Sequence, residues 1–415
     1  MRGLAQAVGT VAPLVVLASQ GASAFGLFSV LIAVAGLSVV LEWGLPLKVQ
    51  NEISRGRHVR GYDARWFLLE SGFLPHLALN LACAFGLWLL SSRWIGHLFP
   101  ADVAQVLAQQ DGALLAIFMV AATIGATYHG RSVVFGLGHI DKGFTFTFLA
   151  SLTTLALVAG GIAAGVSTAV LAVVVAAAPL LDRLFACLYC FRRAGELVRH
   201  PSMPPPLAGT APARSGRSVA LMFLYLQVLA LVASNIDSIW AARANSLQSV
   251  GEYAFLLKLY GIPLLVVNIL STASMPRLAV ESHGGGDGGR RTVLALLRSN
   301  VVVMLGTGLV IVFAGSLLYR LISGATADLR PLAALMLVDT CLLALRGVLT
   351  TYVNAAEVLW LNVAGNTAFA AAAIGFKIVL VDRHGIYGLV AANIAAYLLF
   401  LLPFHLLALW RGIRR

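Results

Sequence analysis

Apolar runs of about 20 residues recur along the whole chain, separated by short polar stretches. A run of that length as a helix crosses roughly 30 Å of hydrocarbon. None of the runs shows the short alternating pattern of a β-barrel strand, and a helix satisfies its own backbone hydrogen bonds inside lipid. The pattern predicts about twelve membrane-spanning helices. Six fall at about 3–19, 25–46, 66–90, 112–136, 143–162 and 166–189, and six at about 218–241, 252–275, 297–319, 331–354, 358–381 and 385–409. The fold class expected is therefore all-α, a polytopic membrane protein of two six-helix lobes.

A polar stretch divides the two sets. Residues 192–217 hold Pro201, Pro204, Pro205, Pro206 and Pro212 among five arginines. Proline at this density cannot continue a helix and reads as an extended tether. The expected organisation is a lobe at 1–191, a cytoplasmic linker at 192–217 and a second lobe at 218–415. The glycine run at 284–289 has no G-K-[ST] after it and no strand before it, so it reads as a loop rather than a phosphate cradle.

Composition agrees with a lipid-facing surface: 60% of the 415 residues are hydrophobic and 11% are charged. The net charge of +12 would suggest nucleic acid in a soluble chain. Here it follows the topology, and no nucleic-acid partner is expected. With the N-terminus inside, the inner loops collect Lys48, Arg55, Arg57, Arg60, Arg65, Arg277, Arg290, Arg291 and the linker arginines. The outer loops hold only Arg93, Arg243, Arg320, Arg330 and Arg383. Both termini then lie inside. Trp43, Trp66, Trp88, Trp94, Trp240, Trp360 and Trp410 fall near span ends, as an aromatic belt requires. The first apolar run reads as a span, because no A-x-A cleavage site follows it. Cys187 and Cys190 form C-x-x-C, but no second Cys or His pair completes a metal site. No metal, cofactor or catalytic residue is implied.

The halves echo one another. Phe25-Gly26-Leu27-Phe28 opens span two and Val250-Gly251-Glu252-Tyr253 opens span eight. Leu45-Pro46-Leu47-Lys48 closes the former and Met275-Pro276-Arg277-Leu278 the latter. Two parallel six-helix repeats, with a cavity between them, are the expected result.

The stretches Asn235-Ile236-Asp237, Val250 to Ala254, Lys258-Leu259, Pro263 and Met275 to Leu278 resemble the start of the second lobe in polysaccharide flippases. Ala24 to Phe28 and Glu42 to Leu45 carry the likeness into the first lobe. These flippases belong to the multidrug/oligosaccharidyl-lipid/polysaccharide exporter superfamily. The resemblance implies two lobes around a V-shaped central cavity. It implies movement of an undecaprenyl-diphosphate-linked oligosaccharide to the outer leaflet of a bacterial inner membrane, with membrane lipids and a polysaccharide polymerase or glycosyltransferases as further partners. Related lipid II flippases carry two further spans, which argues against that branch.

Charges within spans cost at least about 2.5–3.5 kcal/mol each, so each asks for a reason. Asp182-Arg183 reads as an interfacial or helix-end ion pair, Lys377 as snorkelling to headgroups, and Glu42 as paired with a loop arginine. Asp237 and Lys258 share the outer depth on successive helices, which suits a salt bridge at an outer gate. Arg346 has no acid one turn away, and Asp339 lies two turns off on a similar face. The functional reading is a cationic route for a diphosphate through Arg131, Arg346 and Lys258. Asp237 and Asp339 are then candidates for coupling or gating, and Gln227, Asn235, Asn268 and Asn366 for sugar contacts. An isolated Asn equally suits a helix–helix hydrogen bond.

Three other classes are weighed by the same residues. A multidrug cation exporter coupled to protons or sodium would present acids with few cavity cations. A membrane glycosyltransferase or polymerase would need paired carboxylates in a large loop, and the segment from Ser91 to Asp111 has none. A major-facilitator carrier is also six plus six. Arg55-Gly56-Arg57 echoes its loop between spans two and three without the acidic partner pattern. An enzyme is not expected.

Overall fold

In a computed structural model, described residues are 2–36, 41–43, 45, 73–137, 139–192, 224–226, 228–229, 231, 233, 237–244, 246–283, 288–355 and 359–413. Among them the chain is helical, with no strand. The linker expected at 192–217 lies almost wholly outside them.

The helices are α1 (Arg2–Ala35), α2 (Phe73–Leu89), α3 (Ser91–Leu98), α4 (Ala101–Ala108), α5 (Asp111–Ala126), α6 (Tyr128–Gly136), α7 (Ile140–Ala163), α8 (Thr168–Ala176), α9 (Ala178–Arg192), α10 (Asp237–Ala244), α11 (Leu247–His283), α12 (Gly288–Ser323), α13 (Arg330–Ala355), α14 (Leu359–Ala396) and α15 (Leu402–Ile413). A π-helical turn at Tyr397–Leu401 joins the last two. Among the described residues eight stretches are long and apolar enough to cross a membrane, and α2 is a shorter apolar helix. The stretch from Trp360 to Leu407 has 48 residues, more than one crossing needs.

Among the described residues two helices are interrupted at or beside the turns that the sequence predicts between spans. Gly21 breaks α1 at φ 82° and Gly385 breaks α14 at φ 57°. A side chain with a Cβ adopts such angles only at a cost, so glycine fixes where each helix turns. The segment from Ser91 to Asp111, expected as a loop, instead folds into α3 and α4. The Trp88 indole N–H donates to Asp111 across their base at 2.8 Å.

The chain forms two compact units. One comprises residues 1–16 and 30–231, the other 17–29 and 232–415. In the first, α2 packs on α5, and α9 packs on α6 and α7. Its core includes Phe118, Ile117 and Leu114, all nearly inaccessible. In the second, α11, α12 and α13 pack on one another, with α14 against α13 and α10. Helix α12 presents Val302, Phe313 and Leu321 outward, the latter two 72% exposed. Such a surface is unstable in water and natural against acyl chains. The chain is thus a multi-pass membrane protein.

Candidate functional site

Charged side chains inside apolar helices must find partners there. The second unit gathers its own around a cavity of about 230 Å³. Asp237, Asp339, Arg346, Asn393, Tyr253 and Tyr397 line it, together with Phe369.

Asp237 opens α10, where a helix N-terminus favours negative charge. Its carboxylate accepts from Lys377 Nζ at 2.5 Å and from Asn393 Nδ2 at 2.9 Å. Lys377, on α14, has no exposed surface and also donates to the Ala233 carbonyl at 2.5 Å.

A second network starts at Arg346 on α13. Its guanidinium donates to Asn366 Oδ1 at 2.7 Å and stacks over the Phe369 ring, 4.7 Å from the centroid. Asn366 donates in turn to the side chain of Asn362 at 2.6 Å. No carboxylate bonds to Arg346 among the described residues. Asp339 faces the same cavity within electrostatic reach of Asp237, Lys377 and Arg346, with no hydrogen-bond donor of its own among the described residues.

Among the described residues the first unit holds two ion pairs that join distant parts of its chain. Arg131 donates to Asp182 at 2.6 Å and lies 5.3 Å from the Phe135 ring centroid. Thr147 also donates to Asp182, at 3.1 Å. Arg183 donates to Glu42 and to the Ile124 carbonyl.

Several expected partners are corrected. Asp237 is paired with Lys377 and not with Lys258, which has no polar partner among the described residues. Lys377 does not snorkel: the acid on α10 holds it inside. Asp182 and Arg183 do not serve each other, because consecutive helical residues point about 100° apart. Each instead pairs across to another helix or segment. Glu42 meets Arg183 rather than a loop arginine. Arg131 has an acid partner and lies in the first unit, whereas Arg346 lies in the second. Asn366 serves Arg346. The Asn268 backbone continues α11, while its side chain, Gln227 and Asn235 lie outside the described residues.

Sequence reasoning passed over Phe369 and Tyr397, took Lys377 as a snorkelling cation, and counted Asn393 only among the amides that could meet sugar hydroxyls. The signal available for Lys377 was its depth: with the topology expected, it and Asp237 both fall toward the outer side. Their separation of 140 positions leaves no local pattern to join them.

No family model and no curated protein matches the chain. Solved structures do. An inward-facing multidrug-resistance MATE transporter of the MOP superfamily aligns over 98% of this chain and 95% of its own, at 14% identity and TM-score 0.63. The lipid II flippase MurJ, in an inward closed conformation, aligns over 99% and 87% at 10% identity and TM-score 0.63. A MOP-superfamily transporter from Pyrococcus furiosus, described by a reversed polarity of its binding pocket, aligns over 100% and 94% at 15% identity and TM-score 0.59. The chain has the fold of MOP-superfamily transporters. At these identities the likeness concerns architecture, and substrate chemistry has to be argued from this chain's residues.

Proposed function

We propose that the protein is a flippase that moves a polyprenyl-diphosphate-linked oligosaccharide from the cytoplasmic to the outer leaflet by alternating access, for assembly of a surface polysaccharide. The resemblance of Asn235 to Asp237, Val250 to Ala254 and Met275 to Leu278 to polysaccharide flippases supports this reading, as does the shared fold of a lipid flippase. We place the protein in a bacterial inner membrane with both termini cytoplasmic, on the distribution of Lys and Arg. A polymerase or glycosyltransferases of the same assembly line are its expected partners.

The observation that carries the reading is the state of Arg346. Its guanidinium reaches the cavity held by a neutral amide and an aromatic face. It has several N–H donors left for an incoming anion, and paired donors suit phosphate oxygens. Asp237 offers no competing free charge, because Lys377 neutralises it. Lys258, on α11, has no acid partner among the described residues but does not line this cavity. Arg131, although bonded to Asp182, is 39% exposed and has N–H groups left to donate. An inside-negative potential of 100 mV would contribute about 2.3 kcal/mol per negative charge moved outward.

Deleting the gene and extracting lipid-linked intermediates tests this. Complete repeat units should accumulate on the cytoplasmic face. A normal intermediate pool, with new sensitivity to cationic dyes, would instead support a drug/proton or drug/sodium antiporter. The unbonded carboxylate of Asp339 in the cavity is the observation that favours this second reading.

A further inference from the structure

The surroundings of Lys377 Nζ are those of a metal ion rather than of a surface ammonium. It donates at 2.5 Å to a main-chain carbonyl, Ala233, and at 2.5 Å to a carboxylate oxygen of Asp237. The other oxygen of that carboxylate is fixed by Asn393 at 2.9 Å. The Asn393 Oδ1 atom is buried and has no donor among the described residues, on a side chain that lines the adjoining cavity. The Tyr253 hydroxyl-bearing side chain lines the same cavity. The carbonyl and the carboxylate on Nζ are hard oxygen ligands, and the amide oxygen and phenol that line the adjoining cavity are further oxygens next to them; oxygens of this kind suit Na⁺ or K⁺, with one formal negative charge at Asp237 to balance one positive charge.

We propose that Lys377 is a tethered cation: its ammonium fills an oxygen site that would otherwise take a monovalent metal ion, so the protein carries that ion covalently. Asp237 is then closed to sodium and potassium in the native protein. The consequence for transport, that the cycle proceeds without a metal ion at this site, rests on the flippase reading above. The occupancy itself does not.

The test measures ion binding without transport. Wild-type protein, Lys377→Ala and the double variant Asp237→Asn/Lys377→Ala are melted in detergent in NaCl, KCl or choline chloride at constant ionic strength. A bound ion raises Tm in a saturable way, by RT ln(1 + [L]/Kd) in free-energy terms. Lys377→Ala should melt below wild type in choline and recover by several degrees in NaCl or KCl. Wild type and the double variant should melt alike in all three salts. A saturable sodium or potassium response in wild type that Asp237→Asn abolishes would overturn the proposal. So would a monodisperse Lys377→Ala that ignores both ions. Where Lys377→Ala does not survive extraction, Lys377→Gln melted in native membranes gives the same comparison, and indifference to both ions counts against the proposal equally.

A separate arm follows appearance of lipid-linked sugar in the outer leaflet of vesicles with sodium replaced by choline. Wild type should be unaffected and Lys377→Ala should become salt-dependent. Failure of wild type to move the lipid at all would refute the flippase reading while leaving the melting result intact.

Discussion

Gly26 and Gly251 meet backbone to backbone. A Cβ on Gly26 would lie 3.2 Å from the Gly251 nitrogen, and one on Gly251 would lie 3.3 Å from the Gly26 nitrogen. Each Cβ would also overlap a carbonyl four residues before the other glycine, Leu247 for Gly26 and Ala22 for Gly251. The contact is reciprocal, and it joins the two short motifs that echo each other in the sequence. Both belong to the second unit, because residues 17–29 pack there.

Gly26→Ala and Gly251→Ala should each destabilise the protein. Alanine in a helix gains about 1 kcal/mol over glycine, whereas overpacking costs about 1–3 kcal/mol, and here the obstructing atoms are backbone that cannot rotate away. The net should be a loss, seen as a Tm lower by several degrees. Gly306→Ala is the control. Nothing lies within 4 Å of its Cβ position, so its Tm should hold or rise. Equal effects at all three positions would remove the argument from close approach.

Asp237→Asn and Lys377→Met should each cost about 3–5 kcal/mol, since each strands a buried charge. The double variant Asp237→Asn/Lys377→Met should cost much less than their sum, because it strands none. A double-mutant cycle by chemical or thermal unfolding measures this, and strict additivity would show that the two groups do not depend on each other.

What the sequence revealed and what it hid divide along chain distance. Among the described residues the spans largely follow from local hydropathy: the turn at Gly21 falls between two expected spans, and the one at Gly385 at the first residue of the last. Asp339 and Arg346 share a cavity as their separation of seven residues on one helix predicts. The partners of Asp237, Glu42 and Asp182 were not legible, because pairing across distant helices depends on rotations and depths that no local pattern sets. The same holds for Phe369, an ordinary apolar residue in sequence that acquires its role only from the guanidinium above it. The helices at 91–98 and 101–108 were read as loop because each is only eight residues long, below the length at which periodicity shows.

Arg346→Ala should insert normally and impair export. Loss of charged hydrogen bonds to a diphosphate amounts to about 1.5–3 kcal/mol, or roughly tenfold to a hundredfold in transport at limiting substrate. Arg346→Lys should recover only part, because an ammonium cannot donate two parallel bonds or stack on Phe369 in the same way. Transport of lipid-linked sugar in vesicles, normalised to membrane content of each variant, checks both. Full activity of Arg346→Ala would remove this guanidinium from the substrate route.

Arg183 and Arg131 should separate structural from functional charge in the first unit. Arg183 is 8% exposed and bonds both Glu42 and the Ile124 carbonyl. Its replacement by alanine strands a carboxylate in a nearly dry site, a loss on the order of 3 kcal/mol or more. Membrane content of Arg183→Ala should fall severely. The Arg131 side chain is 39% exposed but its partner Asp182 only 4%, so alanine at 131 alone would also strand a carboxylate, and the double variant Arg131→Ala/Asp182→Asn should retain most of its protein. If that well-folded variant still loses lipid-linked sugar transport, Arg131 acts on the anion as its exposure allows. If transport survives, the Arg131 to Asp182 bond only ties the α6 helix to α9.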